Sequence, residues 1–254
     1  MNLPSLADVA IAMLRWLEYA GLLGFIGVVV VRRLAGMTPP IRWARPSMQP
    51  ALLAAFVGGL GVVAAGALRA GHPSIAGLVR VAAEGTALGL CMYGRRWVVP
   101  PAILAALALP FSAHAALVGA GAVFTEAIHV LSAGAWAGGI LVLALVRPPD
   151  GWGEGEGREL LERFGRIAFL AFAVTALTGV VRASDAIRTS SDLWATQYGL
   201  VLSAKTAGVL AMVAMSALVW RRGWRYARVE GLIVLLVLAA TALLAAFPIP
   251  PAQA

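Results

Sequence analysis

Glu126 and His129 stand three residues apart in an otherwise apolar stretch. That spacing puts two side chains on one helical face, about one turn apart. A carboxylate beside an imidazole has two uses: it can orient the ring and raise its basicity as a metal ligand, or the two groups can relay a proton. Trp136 follows on roughly the same face, and His114 precedes the pair across a short uncharged segment. If the stretches around His114 and His129 are antiparallel neighbours, both rings reach the same level. Two imidazoles with a nearby carboxylate can begin a copper site, since imidazole suits copper in either common oxidation state, or can hold a b-type haem as axial ligands. His72 in RAGHPS is a further candidate ligand, as are Met212 and Met215, because thioethers favour Cu(I). Ordinary packing is the commoner use of a methionine.

The other ionisable residues in apolar surroundings are few: Arg15 and Glu18, Arg80 and Glu84, and Lys205. Inside a bilayer each costs at least ~2.5 kcal/mol to insert, so those that persist face the interior of a bundle or water. Arg15 with Glu18, and Arg80 with Glu84, have spacings that let each pair neutralise itself on its own helix. Lys205 lies two turns beyond Tyr198 on one face, and its expected partner is Glu126. Lys205, Tyr198 and Trp136 are read as structural or gating residues.

These groups must be positioned by membrane-spanning helices. The chain has 254 residues, of which 61% are hydrophobic and 13% charged, against roughly a quarter charged in a soluble domain. Apolar runs of ~20 residues, each long enough to cross ~30 Å of hydrocarbon, recur along it. Candidate spans are 8 to 31, 50 to 68, 76 to 93, 97 to 116, 122 to 146, 165 to 184, 199 to 220 and 229 to 247. Lipid offers no partner for a free backbone N–H or C=O, and the runs are too long and uniform for barrel strands, so all are predicted to be helices. The fold class expected is all-α: a polytopic membrane bundle of about eight helices, read as a single integral membrane domain over 1–254. The stretch 150–163, DGWGEGEGRELLER, reads as a cytoplasmic linker ending in a short interfacial helix.

The net charge of +8 does not indicate nucleic acid, because the basic residues sit in short gaps between apolar runs rather than on one soluble face. Fourteen of the twenty lie in loops after odd-numbered spans: Arg32, Arg33, Arg42, Arg45, Arg95, Arg96, Arg147, Arg158, Arg163, Arg166, Arg221, Arg222, Arg225 and Arg228. Cytoplasmic loops carry the excess of Lys and Arg, so both termini are expected on the periplasmic side. The single Cys91 forms no internal disulfide, and the first apolar run, which contains Arg15 and Glu18, reads as a retained span.

Two stretches resemble the copper resistance protein D (CopD) family. SAHAALVGAGAVFTEAIHVLSAGAWAGGILVL at 112 to 143 is similar to the family's histidine followed by H-L-x-A-x-x-W-x-G-G. VTALTGVVRASDAI followed by DLWATQYGLVLSAKTAG is similar to its T-x-Y-G-x-x-L-x-K segment, with Thr196, Tyr198, Gly199 and Lys205 in place. Ser203 stands where a larger apolar residue is more usual. The first three helices are similar only loosely, through RWLEYAGLLGFIG.

The resemblance implies a multi-pass bacterial inner-membrane protein that moves copper rather than an enzyme, working with a separate periplasmic copper-binding protein of the CopC type. Carried over residue by residue, it puts His114 and His129 on the family's histidines, Trp136, Gly138 and Gly139 on its W-x-G-G, and Lys205 on its lysine. Copper is then expected at His114 and His129 with support from Glu126. The rival readings are a b-type haem redox protein using the same histidines and a purely structural or assembly membrane protein. Nothing in the sequence sets an oligomeric state.

Overall fold

The computed structural model describes residues 6–112, 119–186, 189, 191–222 and 227–246. His114 lies outside the described residues. The regular structure of the described residues is all helical, in eight main elements: α1 (Leu6–Ala35), α2 (Gln49–Ala70), α3 (Ile75–Met92), α4 (Arg96–Phe111), α5 (Ala120–Leu145), α6 (Gly155–Ala186), α7 (Gln197–Arg222) and α8 (Ala227–Ala246). A one-turn helix, Asp192–Ala195, precedes α7. Seven of the eight are long and apolar enough to cross a membrane, and α4 is shorter. Its last residues tighten into a 3-10 turn over Leu109–Ser112 that contains Pro110, a residue that cannot donate to the preceding helical turn. The chain is therefore an all-α polytopic membrane bundle.

Local chemistry sets the connections. The Pro50 ring starts α2, and Gly71, at φ +78°, ends it in the left-handed region. Ser74 caps α3 by accepting from the Gly77 N–H at 3.1 Å. Neighbours in sequence pack antiparallel from α1 to α6, and α7 packs on α8. Asp8 at the start of α1 pairs with Arg69 at the end of α2, 2.8 Å apart, and the backbone at Gly21 and Gly58 leaves no room for a Cβ between those helices.

Helix α1 is central. It lies against α2, α5 and α8, and its Leu22, Phe25 and Val31 are fully buried. Gly27 and Gly138 meet backbone to backbone where α1 crosses α5, at a π-helical segment, Gly134–Gly138, that turns Trp136 into the core. The start of α1 lies beside the end of α8: Arg15 donates to the Ala245 carbonyl at 2.7 Å and Trp16 to Leu235 at 2.9 Å. The first and last helices thus run antiparallel, with the start of α1 and the end of α8 on one side of the bundle.

The stretch 150–163 departs from the expected linker and separate interfacial helix. From Gly155 it is already α6, which runs unbroken for 32 residues. Trp152 is buried edge-on against Trp43, with centroids 6.1 Å apart. Arg163 donates to the carbonyls of Leu34 at 2.8 Å, Met37 at 3.2 Å and Pro39 at 2.8 Å. These contacts anchor the segment to the end of α1 and remove the need for a break.

Candidate functional site

Helices α5 and α6 face each other through a ladder of four pairs. Glu126 pairs with Arg182 at 2.5 Å, and His129 Nδ1 lies 3.0 Å from Thr178 Oγ1. The Ser132 and Thr175 hydroxyls are 2.8 Å apart, and Trp136 stacks at a tilt on Phe172 with centroids at 4.8 Å. On each helix the members recur every three or four residues, so one stripe of α5 meets one stripe of an antiparallel α6. The polar rungs are at one end and the aromatic rung is deeper.

The Thr178 hydroxyl fixes the ring of His129. Its single proton is directed to the Val174 carbonyl at 2.7 Å, with Thr175 O at 3.1 Å. Toward the ring it is then the acceptor, which assigns the ring proton of His129 to Nδ1 and the lone pair to Nε2. A histidine held in this way is oriented as metal-binding histidines are, with the second nitrogen bonded to the protein and the first left for the ion.

Lys205 enters this field from α7. Glu126 attracts it and Arg182 repels it, but the direct partner of Glu126 is Arg182, not Lys205 as the sequence suggested. The reason is register: Arg182 lies straight across the α5–α6 contact, whereas Lys205 approaches from a third helix. Tyr198, at the start of α7, also lies within reach of the charges on Glu126 and Arg182. Thr196 caps α7, accepting from the Gly199 N–H at 2.9 Å, and Gly199 packs on the Asp192 backbone with no space for a side chain. Ser203 donates to the Leu193 carbonyl at 3.3 Å. The T-x-Y-G pattern is therefore the device that starts α7 and sets the approach of Tyr198 and Lys205.

The remaining candidate ligands lie elsewhere. Met212, fully buried, and Met215, half-buried, are seven and ten residues beyond Lys205 on α7, about 10 and 15 Å further along the helix axis. His72 is exposed in the α2–α3 loop and lines a different cleft, of about 270 Å³, together with Arg15, Glu18, Tyr19 and Arg80. Among the described residues no three His, Cys, Asp or Glu side chains converge as a ready metal cage.

In the second cleft the expected pairing within each helix is replaced by pairing between helices. Arg80 Nε of α3 lies 2.6 Å from Glu18 Oε1 of α1, both side chains almost fully buried, while Arg15 turns to α8. Arg182, Thr178 and Thr175 were not singled out from sequence. Their recurrence with Phe172 at helical spacing was the signal that could have found them.

The fold and the ladder define a class: a multi-pass α-helical membrane protein with a polar, histidine-bearing contact between two of its spans. The model of the family Copper resistance protein D (CopD) matches residues 158–245, roughly a third of the chain, so the similarity to that family lies in the second half of the bundle. The match spans α6 from Arg158, the T-x-Y-G start of α7, and α8, and so includes the α6 half of the ladder and Lys205. The 112 to 143 stretch lies outside it. No curated protein and no solved structure matches the chain.

Proposed function

We propose that the protein carries copper ions across the bacterial inner membrane, with the basic loops cytoplasmic and the polar end of the α5–α6 ladder toward the periplasm. Copper is taken at His129 and His114, with Glu126 as the nearby carboxylate, after delivery by a periplasmic copper-binding protein of the CopC type. The observation that carries this reading is the His129–Thr178 bond, which leaves Nε2 available to an ion. Imidazole nitrogen is a donor that copper accepts in either common oxidation state.

Two cations, Arg182 and Lys205, face the single Glu126 carboxylate. Copper entering beside Glu126 competes with them, so release of the Arg182–Glu126 pair is the step that admits the ion. Trp136, packed on Phe172 at the deep end of the ladder, closes the path inward until the helices move.

Replacing both histidines, His114→Ala with His129→Ala, is expected to abolish tight copper binding by the purified protein while leaving its helical content and elution volume unchanged. Copper stoichiometry measured by elemental analysis decides it. An unchanged stoichiometry in the double variant removes the site, and an intense Soret absorption in the wild-type protein replaces copper with haem.

A further inference from the structure

The second polar cluster is built from different helices. Glu18 of α1 and Glu84 of α3 are each 1% exposed, and Arg80, 3% exposed, is placed between them in charge. A Cβ placed at Gly59 of α2 would touch the carboxyl groups of both glutamates, so the glycine is what lets them meet. Glu84 Oε2 and Glu18 Oε1 both lie within reach of that one position. Neither oxygen of Glu84 has a hydrogen-bond donor among the described residues, although both are buried.

Charge counting sharpens the point. Arg80 pairs with Glu18 at 2.6 Å, and a second carboxyl lies in the same buried pocket. Two carboxylates in contact cannot both stay ionised, and two carboxyl oxygens attract only with a proton between them. The other groups facing the pair are Arg15 and Tyr19 from α1 and, at the mouth of the cleft, His72; Gly58 and Gly59 of α2 bring no charge.

We propose that Glu18 and Glu84 form a proton-binding site within the membrane, in which the two carboxyl groups hold one proton between them and exchange it with water through the cleft that His72 and Arg15 line. The proton arrives from, and returns to, water on the side where α1 begins, and Arg80 remains paired to whichever carboxylate is ionised. Gly59 keeps the two groups in contact, and the small residues Gly66 and Gly77 help to leave the cleft open.

Infrared spectroscopy of the purified wild-type protein at neutral pH, in H2O and then D2O, tests this without any copper. Subtracting the spectrum of Glu84→Gln isolates the pair from any other protonated carboxyl, such as Glu230 beside Ser216. The expected difference is the loss of one protonated-carboxyl C=O band, and in the wild type that band shifts on transfer to D2O. Glu18→Gln is expected to lose it as well, because Glu84 then has no second carboxyl group to share a proton with, so this variant serves if Glu84→Gln does not fold. A band retained in both variants, no band in the wild type, as an ionised pair holding a metal cation would give, or a band that never shifts in D2O overturns the proposal.

Discussion

At the scale of single residues, a threonine hydroxyl does what a carboxylate or carbonyl does beside many metal-binding histidines. With its proton given to Val174, Thr178 can only receive from His129. Thr178→Val keeps the shape of the side chain and removes the acceptor, so copper affinity at His129 is expected to fall about 10- to 100-fold, the usual cost of losing such a support. Thr178→Ser should restore most of it, and competition with a chromogenic chelator reads both; equal affinity for all three proteins would show that the hydroxyl plays no part. His129 and Glu126 were legible in the sequence because ionisable groups are conspicuous in apolar runs. Their partners were not, since threonine and serine are unremarkable in a membrane helix and Arg182 is identified only by the antiparallel register of α5 on α6. The same blindness to register explains Glu18 and Arg80, whose spacings to Arg15 and Glu84 invited pairing within a helix while the structure pairs them across helices.

At the scale of elements, the start of α7 governs what Tyr198 and Lys205 can reach. Thr196 supplies the cap and Gly199 the close approach to the one-turn helix. Thr196→Ala is expected to cost about 1 kcal/mol, the ordinary price of a lost N-cap, seen as a lower melting temperature in detergent. Gly199→Ala should cost more, because its Cβ would collide with the Asp192 backbone rather than with a movable side chain. A Thr196→Ala variant that melts more than Gly199→Ala would contradict this order. The helices themselves were readable from apolar length, and their ends were not. Residues 150–163 looked like a linker because of their glycines and charges, yet helix α6 begins among them at Gly155, held by the buried Trp152 and by Arg163, whose acceptors lie on the far side of a loop more than a hundred residues earlier in the chain.

At the scale of the whole molecule, hydropathy and the distribution of arginines made the all-helical membrane class legible, because lipid permits so few solutions for a buried backbone. The orientation makes a separate prediction. Alkaline phosphatase, which is active only outside the cytoplasm, should be active when fused after Ala254, and a green fluorescent protein at the same place should stay dark on export as an unfolded chain. The reverse pair of results would invert the bundle. The side-by-side placement of α1 and α8 also has a consequence for biosynthesis. Arg15 finds its acceptor 230 residues later in the chain, at Ala245, and Glu18 waits for Arg80. During translation the first helix therefore enters the bilayer with Arg15 and Glu18 lacking their final partners. The nascent bundle cannot close until its last described helix has left the ribosome, and until then α1 depends on the translocon or on water for what the finished protein supplies.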